Sequence, residues 1–283
     1  MRRALVLGGG GVAGIAWETG VLAALADEGV DVTTADRIIG TSAGSTVAAQ
    51  VTSGLPLKEL LARQTDPALQ TPELVSGVSL AELWVKLQAI AESGLDPAAQ
   101  RREIGALALA ASTVPEAERR AVIEARLPVH EWPERDLVIV AVEAVSGEVR
   151  LFERGSGVGL VDAVAASCAV PGVWPCVTID GVRYMDGGVR TSTNADLAAG
   201  FDRVLVLAPM ADVGEPAWKR LDGTADGAVA GTVGVTVEVI EPDEATLAAF
   251  GTDPLAPQSR TPSAEAGYAQ GRAAAARVAG MWR

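Results

Sequence analysis

Histidine, cysteine and lysine are nearly missing from this chain, and each scarcity removes a class of chemistry. One histidine, His130, and two separated cysteines, Cys168 and Cys176, are too few for a metal-ligand cluster, so neither a metal nor another cofactor is expected. The same two cysteines make no disulfide framework, and both are expected reduced in a cytoplasmic protein. No apolar run approaches the roughly 18 residues needed to span a bilayer. Ala4-Leu5-Val6-Leu7, after Met1-Arg2-Arg3, is too short for the apolar stretch of a secretory leader. Lysine is confined to Lys58, Lys86 and Lys219; arginine carries the remaining positive charge, a bias typical of GC-rich bacterial coding sequences. The formal net charge of −13 argues against a nucleic-acid partner and against long-range attraction to anionic membranes.

What the chain does have is glycine placed between strand and helix patterns. Gly40-Thr41-Ser42-Ala43-Gly44 follows the short strand pattern Arg37-Ile38-Ile39 and opens a helical stretch from Ser45 to Val51. That is the form of a nucleophile elbow, in which a serine sits on a tight strand-to-helix turn flanked by glycines. Ser42 is therefore a candidate covalent nucleophile.

The N-terminus repeats the arrangement. The strand Ala4-Leu5-Val6-Leu7 runs into Gly8-Gly9-Gly10-Gly11-Val12-Ala13-Gly14, and a helix follows with Ile15, Leu22, Leu25 and Ala26 on one face and a stop at Asp27-Glu28-Gly29. Such a loop points unpaired backbone N–H groups outward at a helix start, a place that favours a phosphate or an oxyanion. Gly9-x-Gly11-x-x-Gly14 also satisfies the dinucleotide fingerprint, which requires an acidic residue closing the second strand. Asp31 and Asp36 instead precede that strand, and Gly40-Thr41-Ser42 closes it. No Gly-Lys-Ser/Thr follows the glycines, so the loop is not of the Walker type.

A third segment, Cys176 to Gly188, reads as a hairpin turning at Asp180-Gly181. Asp186 stands at its far end before Gly187 and Gly188, placed to present a carboxylate to a cleft. Asp162 and Asp202 read as caps or surface carboxylates. A serine nucleophile needs a base, and His130 lies between Ser42 and Asp186 in a connection bounded by Pro128 and Pro133 rather than last, as the α/β-hydrolase order requires. A carboxylate acting directly on Ser42 is the better expectation.

In these blocks the chain resembles the patatin-like phospholipases and acyl hydrolases. Gly9-Gly10-Gly11-Val12-Ala13-Gly14 is similar to that family's oxyanion loop, Gly40 to Gly44 to its elbow, and Asp186-Gly187-Gly188 to its Asp-Gly-Gly/Ala block. Ala166 to Pro175 resembles the segment before that aspartate. The resemblance implies a Ser42–Asp186 dyad and oxyanion donors on the loop Gly9, Gly10, Gly11, Val12, Ala13 and Gly14. It implies a lipid or acyl ester as substrate, with transient contact to a lipid surface. Two departures stand out: Ala13 replaces the family's usual Arg or Lys, and Val189 to Ala195 lacks its Asn-x-Pro. Loss of a charge beside the oxyanion loop shifts the expectation from anionic phospholipids toward neutral esters. A dinucleotide-binding protein and a catalytically weak lipid-binding member of the fold are the alternatives.

The fold expected is α/β in three layers, a mainly parallel sheet with helices on both faces, as one domain over 1–283. Later strands are read at 137–141, 148–152, 203–207 and 236–240, a Gly/Ala-rich loop at 211–232, and a final helix marked by Tyr268, Ala275, Val278 and Trp282. Residues 54 to about 133 form a helical insertion in which Leu80, Leu83, Trp84, Leu87 and Ile90 recur at helical spacing and Ile104 to Ala111 is apolar. The stripe serves either the core or an apolar wall over Ser42; the expectation is that 80–111 contributes to an acyl pocket, with Trp84 and Leu87 in its lining. The pattern specifies no oligomeric partner.

Overall fold

A computed structural model describes residues 1–212, 216–222 and 234–283. The chain opens with β1 (Arg3–Leu7), α1 (Gly11–Asp27), β2 (Arg37–Thr41) and α2 (Ala43–Val51). The helical insertion follows as α3 (Leu57–Thr65), α4 (Leu80–Ala91), α5 (Pro97–Ala110) and α6 (Glu116–Arg126). Then come β3 (Asp136–Glu143), β4 (Val149–Phe152), α7 (Leu160–Ser167), β5 (Val177–Ile179) and β6 (Val182–Asp186). The chain closes with β7 (Arg203–Leu207), α8 (Lys219–Asp222), β8 (Thr236–Ile240), α9 (Glu244–Phe250) and α10 (Arg260–Trp282). Part of the loop expected over 211–232 lies outside the described residues; within the rest, Lys219–Asp222 is helical and Ala217 is fully buried.

All the described strands join one sheet in the order β5-β6-β3-β2-β1-β7-β8, with β4 also pairing β3. The centre and one flank, β3-β2-β1-β7-β8, are parallel, whereas the pairings of β4 and β6 with β3 and of β5 with β6 are antiparallel. Continuous apolar runs explain the middle: Ala4 to Leu7 and Val204 to Leu207 are fully buried, as a strand covered on both faces must be. Alternation assigns the faces. Leu5, Leu7, Ile38, Leu137 and Ile139 pack with α1, α2, α7 and α10, while Ala4, Val6, Ile39, Val138 and Val140 face the 195–201 segment and α8. α5 covers the second face further along, through Ala108 against Val142 and Met185.

α1 is buried on every side, not on one stripe, because α10 lies across its outer face. The two helices approach backbone to backbone: a Cβ on Gly20 would stand 2.2 Å from Ala264 O, and one on Gly267 would stand 2.3 Å from Trp17 O. The hairpin turn is as expected. Asp180 and Gly181 have φ of 49° and 80°, the two positive values that a type I′ turn requires.

β3 acts as the ruler for the site. Thr41 of β2 pairs with Val140, and Asp186 of β6 pairs with Ala141 on the other side. Ser42 and Asp186, separated in sequence by the whole insertion and by β3 to β5, therefore arrive at the same level of the sheet, at the carboxyl end of its parallel strands where open α/β sheets bind ligands.

Candidate active site

Ser42 occupies the turn between β2 and α2 with φ 51° and ψ −117°, a conformation costing of order 1–3 kcal/mol for a side chain with a Cβ. Sterics demand the glycines around it: a Cβ on Gly44 would lie 2.1 Å from Leu7 O, and one on Gly40 would lie 2.6 Å from Ser45 Cα. Neighbouring groups hold the strained turn. Ser42 N–H donates to Ser167 Oγ (2.9 Å), which itself donates to Val140 O (2.6 Å), tying the elbow to the end of α7 and to β3. Burial keeps the Cys168 thiol protonated, and it donates to Ser42 O at 3.2 Å. Ser167 and Cys168 fall inside the 166–175 segment, but their bonds to the elbow depend on how β2 and α7 pack.

Asp186 is 5% exposed and accepts from Ser42 Oγ at 2.7 Å through Oδ2. Its Oδ1 accepts from Gly188 N–H at 2.7 Å, which fixes the plane of the carboxyl group. Gly187 has no room for a side chain, since its Cβ would stand 2.2 Å from Val140 O. Burial pushes the Asp186 carboxyl up to about 7, outweighing the two hydrogen bonds that favour its charged form. A carboxylate so shifted can accept a proton near neutrality, where an ordinary aspartate is a weak base.

Beyond Asp186 the missing Asn-x-Pro is replaced by a clamp around Asn194. Its Nδ2 donates to Thr41 Oγ1, Gly187 O and Thr191 O, each at 3.1 Å, and its Oδ1 accepts from Arg190 at 2.7 Å. One buried amide thus joins the residue before Ser42 to the residue after Asp186.

The glycine loop lies against the serine, with Gly9 placed so that a Cβ would meet Ser42 Cβ at 3.5 Å. Its expected set of donors is corrected by the hydrogen bonds already made. Gly9 N–H donates to Ser192 O (2.8 Å), Ala13 N–H to Pro254 O (2.9 Å) and Gly14 N–H to Gly10 O (2.8 Å), so these three are spent on holding the loop. Gly10, Gly11 and Val12 stand at the start of α1, where helix geometry supplies no acceptor, and none is found among the described residues. Gly11 adopts φ 63° as the loop turns into the helix. Below the loop, Glu18 is fully buried and accepts from Gly8 N–H at 2.8 Å. Burial raises its carboxyl well above the ordinary range, which disfavours a second negative charge beneath the loop.

Ala13 does not stand in the open beside the site; it is fully buried in the helical core layer. Nor is the site short of positive charge. The cleft in front of Ser42 is lined by the apolar residues Val12, Ile15, Val170, Trp174 and Leu255 together with Glu73, Arg119 and Arg126. Sequence reading missed this trio. The one available signal was that Arg119 and Arg126 flank Ile123 on the buried face of α6.

The expectation for α4 is corrected too. Trp84 is 45% exposed, and the buried residue is Leu83, which packs with Leu87 and Leu107 behind Val173 and Trp174. The stripe supports the cleft wall without lining it. His130 is also outside the site: its ring is 46% exposed beside Glu124, whose carbonyl lies 3.1 Å from Nε2. His130→Ala is therefore expected to retain kcat/KM within about twofold, as surface changes do; a loss comparable to that of a site residue, measured on any acyl ester, would contradict this placement.

Among the described residues no group of His, Cys, Asp and Glu is arranged to hold a metal ion, and no helix is long and apolar enough to cross a membrane.

The model of one protein family, patatin-like phospholipase, matches residues 5–199. No curated protein matches the chain. Among solved structures, VipD from Legionella pneumophila is similar at 13% identity and a TM-score of 0.46, over 98% of this chain and 67% of that one. The type III effector protein ExoU is similar at 15% identity and a TM-score of 0.41, over 97% of this chain and 53% of that one; the chain spans about half of ExoU.

Proposed function

The chain belongs to the patatin-like phospholipase family, which supports lipid acyl hydrolysis as its activity, and we propose on that premise that it is a serine acyl hydrolase working through Ser42 and Asp186. The observation that carries the reading is the 2.7 Å contact between Ser42 Oγ and a buried carboxylate raised to about 7. In this proposal the Ser42 proton passes to Asp186 Oδ2 as Oγ attacks the ester carbonyl carbon. The carbonyl oxygen becomes an oxyanion and takes hydrogen bonds from the N–H groups of Gly10, Gly11 and Val12. Collapse breaks the ester C–O bond, and the departing alcohol takes the proton from Asp186. Water then attacks the acyl-enzyme, giving a proton to Asp186; the free acid leaves and Ser42 recovers its hydrogen.

Electrostatics favour the same direction. α1 and α2 both begin at the site, so two positive helix ends face the developing charge. One preorganised N–H donor is typically worth about 3–4 kcal/mol in such a step. Residues 200–283 belong to the same working unit in this proposal, because β7 pairs with β1 and α10 covers α1.

The apolar wall supplies a place for the acyl chain. Val170 is only partly buried on that wall, so Val170→Trp is expected to narrow it and lower the ratio of long-chain to short-chain kcat/KM by about tenfold, since one methylene in a pocket is worth 1–3 kcal/mol. The ratio is read from a series of p-nitrophenyl esters. An equal change across all chain lengths would place the acyl chain elsewhere.

A further inference from the structure

The positive charge absent from the glycine loop is supplied from the insertion. Arg119 and Arg126 project from one face of α6 into the cleft that holds Ser42, with side chains 8% and 6% exposed. Their carboxylate partner is Glu73, 1% exposed, from the segment between α3 and α4. Its Oε1 lies 2.6 Å from Arg119 Nη1, and its Oε2 pairs with Arg126 Nη2. Arg119 Nε is buried and has no acceptor among the described residues. Arg260, also buried, donates to Thr71 O at 3.0 Å just outside this cluster. Two guanidinium groups against one carboxylate leave an uncompensated positive charge in the cleft wall of a chain whose net charge is −13.

A purely packing role does not account for that excess. Buried charges are expensive, and apolar residues of similar volume commonly serve structure as well or better. Arg119 lies over the Trp174 ring, its Cζ 3.9 Å from the ring centre, which fixes the guanidinium in place in advance. Burial lowers both arginines to about 10, and both stay charged at neutral pH.

We propose that Arg119 and Arg126 recognise a carboxylate or phosphate carried by the acyl ester that Ser42 cleaves, and that Glu73 occupies their site in the free protein. The inference rests on Ser42 being the nucleophile. Glu73 shows the fit directly, because it is itself a carboxylate held by both guanidinium groups. A substrate oxyanion takes over those bonds in bidentate form and releases Glu73, whereas a neutral substrate has nothing to offer the arginines. The substrate class is then an anionic amphiphile, its acyl chain along Ile15, Val170 and Leu255 and its charged group toward α6. This reverses the preference for neutral esters that Ala13 suggests.

The test compares kcat/KM for two esters sharing one acyl chain, one with an anionic alcohol part and the other with its neutral methylated counterpart. The wild-type protein is expected to prefer the anionic ester by about tenfold or more, the size of a charge-assisted pair. That ratio should fall toward one in Arg126→Gln and rise in Glu73→Gln, which frees the guanidinium groups. Carboxylate and phosphate versions are run side by side, and the larger ratio identifies the group. A wild-type ratio near one overturns the proposal, as do variants that change both esters equally. Should Arg126→Gln not fold, the wild-type and Glu73→Gln ratios decide.

Calorimetry on Ser42→Ala separates this inference from its premise. Binding of an alkyl phosphate or alkyl carboxylate that is lost with Arg126→Gln supports the anion site even if no ester is cleaved. Labelling of wild-type Ser42 by a neutral fluorophosphonate, with no anionic preference in rate or binding, leaves the nucleophile standing and removes the anion site.

Discussion

Asp186→Asn is expected to lower kcat/KM by about three orders of magnitude or more while raising the melting temperature. Both effects come from one carboxylate. Asn keeps the shape and a hydrogen bond to Ser42 Oγ, but it has no site for the proton that Ser42 loses in the proposed mechanism. The wild-type acid is 5% exposed and raised from 3.8 to about 7 by burial, so its charged form is disfavoured in the folded state. A carboxyl group raised on folding contributes stability at low pH and loses that contribution as pH rises from its unfolded value through its folded one. Above pH 7 the ionised side chain opposes folding, and Asn, neutral throughout, does not. The gain in melting temperature over wild type should therefore grow between about pH 4 and pH 7 and level off above. In the wild-type protein kcat/KM should fall about tenfold per pH unit below about 7, because the base must be ionised. A flat profile from pH 5 to 8, or an Asn variant that is both active and less stable, would remove Asp186 from the role of base.

Ser42→Ala is expected to reduce turnover by about four orders of magnitude or more, leaving only what binding and the oxyanion donors supply. Alanine accepts the same φ of 51° no better than serine does, so the elbow's strain is unchanged, and Ser167 still holds the backbone N–H. Far-UV circular dichroism should show the native fold. Deletion of Oγ leaves Asp186 Oδ2 without its partner, and a buried carboxylate that loses a hydrogen bond becomes easier to protonate. Its titration, followed by carbon NMR of the side chain, should then move upward from about 7. Residual turnover near the wild-type level would mean that another nucleophile does the work.

What the sequence makes readable is local. The elbow, the glycine loop and the Asp180-Gly181 turn announce themselves because their residues satisfy constraints set within a few neighbours: positive φ, a missing Cβ, a strand pattern running into a helix pattern. The central strands are equally plain, since burial on both faces demands unbroken apolar runs such as Ala4 to Leu7. The site's finer composition depends on partners far along the chain. Gly9 and Ala13 look like free donors until Ser192 and Pro254 arrive to accept from them. α4 carries apolar residues around most of its circumference, so spacing alone does not set which of Leu83 and Trp84 turns inward. Val173 and Trp174 settle it in favour of Leu83. Arg119 and Arg126 belong to a helix rich in charge, which by composition reads as a solvated surface. Their burial follows from Trp174 and Glu73, contributed from opposite sides of α6 in sequence.

The most direct test of the Ser42–Asp186 mechanism is labelling of the native protein with a neutral fluorophosphonate, read by peptide mass spectrometry and by the rate of adduct formation. The expected result is a single adduct on Ser42, formed at an undiminished rate in His130→Ala and slowed by about a hundredfold or more in Asp186→Asn, because the probe reacts only with a serine whose proton has somewhere to go. An adduct on a different serine, or one whose formation survives Asp186→Asn and disappears in His130→Ala, would contradict it.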